Sequence, residues 1–360
     1  MNSLCPRPPS VWQASPLLGI ESSCDDTAAA VLDREGRVLS NIVASQVSVH
    51  GKFGGVVPEL AARAHVSVIE GVVRLALQEA GIQIKNLGAI AVTEGPGLAG
   101  ALLIGVNFAK GLSYALEIPL IGVNHLEGHI TSAWLADSTF PLPCIVLVVS
   151  GGHTHLYQRE RDGRCELLGC TRDDAAGEAF DKGAQMLGLE YPGGPAIDRV
   201  ARHGDRQAIS FPRFRSRTNK IEFSFSGLKT SLLYKLRGMD AHLASEQVAD
   251  LAASYQEAIV SVLVDTAFTA LARTGLAALA VVGGVSANSR LRTLLKERAE
   301  REDVHLSLPP MAYCTDNAAM IAAVGRRMLM TSGSRSVLDL DIDPMMAVNG
   351  RCATGPIPTS

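Results

Sequence analysis

The chain repeats itself. A strand pattern at Leu17–Glu21 runs into the polar turn 22–26, a second strand at 28–32, a turn at Glu35 and Gly36, and a third strand at 38–44. An apolar run at 145–149 ends in Ser150, Gly151, Gly152 and His153, and another strand begins at Leu156. Farther on, a strand at 89–93 passes through Glu94, Gly95, Pro96 and Gly97 into a small-residue helix at 98–115. Its counterpart, Ala278–Val282, passes through Gly283, Gly284, Val285 and Ser286 into a helix from about Asn288. The two halves read as versions of one unit. At 360 residues, 47% of them hydrophobic, there is material for two cores and hardly for three.

A duplicated β-meander followed by strand, glycine loop and helix predicts an α/β fold. Its form is the duplicated, two-lobed actin/sugar kinase/Hsp70-like architecture, with an interlobe cleft lined by loops from both halves. The expected division is a disordered tail at 1–16, an N-terminal lobe at 17–138 and a C-terminal lobe at 139–312. A helix at 313–340 then returns to the cleft and the first lobe, and 341–360 forms a peripheral tail. Pro141 and Pro143 mark the hinge. Pro58–Ala80 carries apolar residues at helical spacing and stops at Gly81. The apolar run at 98–106 is closed by Asn107 and Lys110, so it predicts a buried helix and no membrane span.

The formal charge of −3 creates no global field for nucleic acid, so any RNA contact must be local. Seven cysteines with no C-x-x-C pair fit a reducing compartment, and the Pro-rich start at 1–16 has no signal-peptide core. Both point to a cytoplasmic protein.

His125 and His129 stand four residues apart, which on a helix puts both imidazoles on one face within reach of one ion. Glu127 sits one place too late to be the base of a zinc peptidase motif. Asp316, at the start of a helix predicted over 318–328, is the candidate third ligand, or merely that helix's cap. Two imidazoles and a carboxylate suit Fe(II) or Zn(II) better than Mg(II). The loops at 95–97, 150–152 and 283–286 each allow amides to face an anion, without a P-loop lysine. Acidic residues gather at Asp25 and Asp26, and again at Asp173, Asp174, Glu178 and Asp181; a solvated loop or helix start accounts for Asp173 and Asp174. Arg213, Arg215, Arg217 and Lys220 interleave with Phe211, Phe214, Phe223 and Phe225, as on an RNA surface or in an exposed loop with buried anchors. On these residues alone a zinc metallopeptidase, a small-molecule kinase or O-carbamoyltransferase, and a non-catalytic nucleotide-binding subunit all remain open.

Taken in order, GIESSCDDTAAAV, GGVVPELAARAH, VTEGPGLAGALLIG, NHLEGH, VVSGGHTHL, DDAAGEAFDKGAQMLGL, YPGGP, FSFSGLKT, GGVSAN and CTDNAAM resemble the tRNA N6-adenosine threonylcarbamoyltransferase family over about residues 17–325. The resemblance implies a metal held by His125, His129 and Asp316, one divalent ion per subunit, Fe(II) first and Zn(II) as the alternative. It implies that Val148, Val149, Ser150, Gly151 and Gly152, with Asp181, Gly194, Asp198 and Asn288, hold threonylcarbamoyl-adenylate. Transfer to N6 of adenosine 37 in tRNAs reading ANN codons would release AMP. Within that reading Asp25, in the first-repeat loop, is the expected acceptor of the amine proton or a group that positions the ion. Implied partners are tRNA, a smaller protein of the same fold, a P-loop ATPase and a synthase that makes the adenylate. Departures from the family pattern are Ser22, Asp26 and His155, where Thr, Glu and Gln are usual; a direct contact from the shorter Asp26 is the one point they touch.

Overall fold

The computed structural model describes residues 15–216, 220–239, 244–332 and 339–348. Residues 1–14 of the expected tail, Arg217, and 349–360 lie outside the described residues. Mostly aliphatic runs without a proline form the strands. The first sheet contains β1 (Leu17–Glu21), β2 (Asp26–Leu32), β3 (Val38–Ser45), β4 (Ala89–Gly95) and β5 (Leu120–Asn124), in the order β3-β2-β1-β4-β5. The second contains β6 (Cys144–Val149), β7 (Thr154–Arg159), β8 (Cys165–Cys170), β9 (Ala278–Val282) and β10 (His305–Ser307), in the order β10-β9-β6-β7-β8. Both have the same plan. An antiparallel meander (β1–β2–β3, β6–β7–β8) is joined through its first strand to a parallel pair (β4–β5, β9–β10). The predicted duplication is thus a duplication of topology.

Each sheet is covered on both faces. On the first, α1 (Pro58–Ala80) and α2 (Ala99–Leu116) bury Ile69, Val72, Val73, Val106 and Ala109 against Leu18, Ile20, Ile90 and Val92. α1 begins with proline and ends at Gly81, φ +66°, each the cheap choice at its end. α2 is long and apolar enough by composition to cross a membrane, yet its Ala101, Leu102, Gly105 and Val106 face is buried in this lobe. Between the sheets lies α3 (His125–Ala136), which packs its Leu126, Ile130 and Trp134 on the second sheet. The other face of that sheet carries α4 (Ala176–Met186), α5 (Gly193–Ala201), α6 (Ser226–Arg237), α7 (Ser245–Thr274) and α8 (Ser289–Arg301), with α7 buried along most of its 30 residues. A last helix, α9 (Ala318–Ser332), closes the remaining face of the first sheet with Met320, Ile321, Ala322 and Val324.

α3 and α9 therefore pack on each other between the sheets. Gly128 permits this, since a Cβ there would come within 2.9 Å of Ile321. A buried ion pair between Glu127 and Arg327 crosses the same seam. Pro141 and Pro143 lie in the connection from α3 to β6, where the chain passes from one sheet to the other.

Residues 341–348, expected to be peripheral, instead cross the ends of β4 and β5. Asp343 N donates to Glu94 O (2.8 Å), Gly97 N donates to Pro344 O (3.2 Å), and Asn124 Nδ2 reaches Ala347 O (3.3 Å). The free backbone groups at those strand ends supply the partners that a Pro- and Gly-rich segment cannot supply for itself. This also corrects the reading of loop 95–97 as an anion cradle. Its Gly97 and Leu98 amides are taken by Pro344 and Ser23 carbonyls, and a Cβ on Gly95 would collide with Asp343 O.

Candidate active site

Asn124, the last residue of β5, caps α3 by accepting the Glu127 amide hydrogen at 3.1 Å. That fixes where the helix starts, and so places His125 and His129 one turn apart with their rings edge-on, centroids 4.7 Å apart. Asp316 arrives from the loop before α9. Its capping alternative is excluded, because Asn317 Oδ1 already accepts the Met320 amide (3.1 Å). Asp316 Oδ1 is consequently free to face the imidazoles, 3.1 Å from His129 Nε2 and 3.6 Å from His125 Nε2.

The pair is oriented from behind. His125 Nδ1 donates to Glu21 Oε2 at 2.9 Å, with Ser23 Oγ 3.1 Å from the same nitrogen. Glu21 is fully buried at the end of β1, and its other donors are Ser23 N (2.5 Å) and Thr93 Oγ1 (2.7 Å). With Nδ1 committed, Nε2 is the free nitrogen of His125, and it points at Asp316. Burial draws the His125 imidazole down, but Glu21 and Asp316 outweigh it and carry it up to about 9. Burial pushes Asp316 up, and His125 and His129 more than reverse it, holding the carboxyl well below its usual range. One ligand atom from each of the three residues lies within 4.8 Å of the other two. Two imidazoles, one carboxylate and a carboxylate behind a histidine make a donor set that fits one divalent cation.

The residues anticipated to hold the adenylate all belong to the second sheet and the loops and helices beside it. Val148 and Val149 are buried in β6 and deliver Ser150, whose Oγ accepts His153 N (3.2 Å) and whose carbonyl accepts Gly177 N (3.2 Å). Gly151 and Gly152 are exposed, and a Cβ on either would touch nothing within 4 Å. Gly194 is equally open. Asp181 accepts the Gly193 amide (2.7 Å), and burial, reinforced by Asp25, pushes its carboxyl up to about 6. Asp198 accepts from Ser289 Oγ (2.7 Å). Asn288 is partly committed elsewhere. Its Oδ1 caps α8 through Leu291 N (2.9 Å) and its Nδ2 donates to Gln256 Oε1 (2.7 Å).

Asp25 lies half-buried at the lip of the first loop, and its carbonyl accepts Gln46 N (3.1 Å). Asp26 starts β2; one of its carboxylate oxygens is buried with no partner, and burial, then the charge of Asp316, raises it to about 7. His65 on α1 grips the loop from below, with Nε2 donating to Cys24 O (2.9 Å) and Nδ1 2.7 Å from Thr27 Oγ1.

The family model for tRNA N6-adenosine threonylcarbamoyltransferase matches residues 37–323. The relative of that name from Anaeromyxobacter dehalogenans is 53% identical over 331 residues, covering 91% of this chain and 98% of its own. The one from Syntrophus aciditrophicus is 51% identical over 314 residues, 87% of this chain and 92% of its own. This chain belongs to the tRNA N6-adenosine threonylcarbamoyltransferase family. Among solved structures, HypF from T. kodakarensis superposes with a TM-score of 0.58 at 15% identity, covering 90% of this chain and 49% of its own. That likeness bears on fold, which is the actin/sugar kinase/Hsp70-like one.

Membership in the threonylcarbamoyltransferase family makes the chain a transferase, and the geometry agrees in disfavouring a peptidase. Glu127 is turned away from the histidines into its ion pair with Arg327. Sequence reasoning gave no role to Glu21, Thr93, His65 or His153. His153 is held down to about 3 by burial and by His125. The only sequence signal for these four was their place inside the recognised motifs. Asp173 is exposed just before α4, as expected, and also accepts from Phe225 N (2.7 Å), Ser224 Oγ (2.5 Å) and Ser226 Oγ (2.9 Å), anchoring the start of α6. Phe211, Phe223 and Phe225 are buried in the second core, whereas Arg213 and Arg215 are exposed. The aromatics of that loop are anchors.

Proposed function

We propose that this chain transfers the threonylcarbamoyl group from threonylcarbamoyl-adenylate to N6 of adenosine 37 in tRNAs reading ANN codons, in the cytoplasm, with AMP as the leaving group. The observation that carries this reading is the His125, His129 and Asp316 cluster, together with the open Gly151–Gly152 turn, in a chain of this family. The amine nitrogen bonds to the carbamoyl carbon, the bond from that carbon to the phosphate oxygen breaks, and the oxygen keeps the electron pair. The exocyclic amine is a weak nucleophile, so positioning and charge stabilisation carry the rate.

Val148, Val149, Ser150, Gly151 and Gly152 present backbone to the adenylate's phosphate. Asp181, Gly194, Asp198 and Asn288 hold its nucleoside part. His125, His129 and Asp316 would hold one divalent ion, Fe(II) with Zn(II) as the alternative, which when bound supplies Lewis-acid polarisation of substrate oxygens. Glu21 keeps His125 in the tautomer whose Nε2 faces that place. Asp25 accepts the amine proton or helps position the ion, and the unpartnered oxygen and raised pKa of Asp26 make it the second candidate for the proton. Partners of the reading are tRNA, a smaller protein of the same fold, a P-loop ATPase and an adenylate-forming synthase. Nucleoside mass spectrometry of tRNA from cells depleted of the chain should show loss of threonylcarbamoyladenosine; unchanged levels would overturn the reading.

A further inference from the structure

The stretch 199–237 has a charge balance unlike the rest of the chain. It holds ten Lys and Arg against two Asp and Glu, a surplus of eight positive charges in a chain whose formal charge is −3. The remaining residues are therefore strongly acidic on balance, and this segment is the exception. It begins at the end of α5 and ends with α6.

Burial sorts its side chains into two sets. Phe211, Phe223, Phe225, Leu228 and Leu232 enter the second core, and Asp173 ties Ser224, Phe225 and Ser226 to the body of the lobe. Arg206, Arg213, Arg215, Lys220, Lys229, Lys235 and Arg237 are exposed. Among the described residues only Arg199 and Arg202 of the basic set form ion pairs, with Glu190 and Asp198. An ordinary solvated face interleaves both signs, and this one does not.

The patch borders the cleft. Arg202 bonds to Asp198, which also takes Ser289 Oγ beside the cap of α8. On the neighbouring α7, burial pushes Glu257 up, but Arg290, and behind it Arg206 and Arg213, hold it below its usual value. Glu257 itself pairs with Arg290 at 2.7 Å, one residue from Gln256, which accepts from Asn288 Nδ2.

We infer that the exposed basic face of residues 199–237 is the surface on which the tRNA backbone lies while its target adenosine reaches the cleft. The inference rests on the proposed reaction and adds to it the place where the acceptor docks. An unpaired cationic row recognises phosphates, by expelling condensed counterions. Phe211, Phe223 and Phe225 are buried, and the exposed Tyr234 ring lies under Arg237, so the face offers charge to phosphates more than rings to unpaired bases. Docking here is therefore read from backbone shape and charge and is indifferent to sequence, leaving base selection to the cleft.

The test compares the full chain with Arg213→Ala/Arg215→Ala, and with Lys85→Ala from the first lobe as the control, by fluorescence anisotropy with an unmodified tRNA transcript across a salt series. Both arginines are exposed, so melting temperature should not move. Loss of two phosphate contacts should flatten the slope of log K against log salt by about 1.5 to 2 and weaken binding roughly tenfold to a hundredfold near 100 mM salt. Lys85→Ala should match the parent. A double variant with the parent's affinity and slope overturns the docking face, including the case where it loses association with an acidic protein instead. No binding of tRNA by the parent itself would count against the proposed reaction, a different failure.

Discussion

The first loops of the two sheets occupy equivalent places and do opposite things. After β1, residues 22–26 are filled from within: Ser23 N and His125 engage Glu21, Leu98 N takes Ser23 O, and His65 holds Cys24 O. After β6, Ser150 is tied at both ends, but Gly151 and Gly152 have nothing above them. The duplicated topology sets where the loops are, while their side chains decide that one is packed behind the His125, His129 and Asp316 cluster and the other is open. Equivalent position in a repeat does not carry equivalent chemistry.

That contrast can be broken most severely at its metal end. His129→Ala and Asp316→Ala should each lose bound metal by elemental analysis, and single-turnover transfer should fall by about a thousandfold or more, since several kcal/mol of charge stabilisation go with the ion. Variants without metal that still transfer at the parent's rate would refute the centre. Glycine substitutions test the packed and open loops directly. Gly97→Ala brings a Cβ within 2.5 Å of Ser23 O and should cost about 1–3 kcal/mol of stability in denaturant melts. At Gly152 an added Cβ meets no protein atom within 4 Å, so Gly152→Ala should melt like the parent while weakening binding of an adenylate analogue by calorimetry, roughly tenfold to a hundredfold. Equal stability losses in both would erase the distinction.

A finer test concerns the backing itself. Glu21→Gln preserves shape but not charge, and should weaken Zn(II) affinity in chelator competition by about 10–100-fold while the metal-free protein stays folded. The same affinity as the parent would reduce Glu21 to a structural role. The smallest effect is expected at Asp181, whose carboxyl is raised in the folded chain to about 6. A raised carboxyl favours the fold fully below its unfolded value near 4 and progressively less as pH climbs through about 6. Asp181→Asn removes that loss, so it should gain stability over the parent between pH 4 and 6, on the order of 1–2 kcal/mol at the plateau. A pH-independent difference would show that Asp181 ionises normally.

The histidines were legible because their relation is local. Four residues on a helix is a distance that sequence encodes directly, and NHLEGH also contains the Asn124 cap that starts the helix. Asp316 was legible as a helix-start acid, though only Asn317 beside it shows that the cap is already filled. Glu21 was not, since its role depends on Thr93 and His125, brought to it by the parallel register of β1 and β4 and by the end of β5. Loop 95–97 was misread for the same reason. Its glycines suit an anion, and nothing nearby in sequence announces that 343–346 will lie on them. The basic loop at 211–225 was half-legible: its composition gave both readings, and burial of the phenylalanines decides which residues serve as anchors.

α3 carries His125 and His129 and the loop entering α9 carries Asp316, and these two helices are also the layer through which the two sheets meet. A coordination sphere divided between two such helices behaves as a gauge of their spacing. Whatever tightens or loosens the seam at Gly128 and the Glu127–Arg327 pair must alter ion affinity, and by thermodynamic reciprocity the ion must bias the seam by the same free energy. An ion bound there would be linked in both directions to the spacing of α3 and α9.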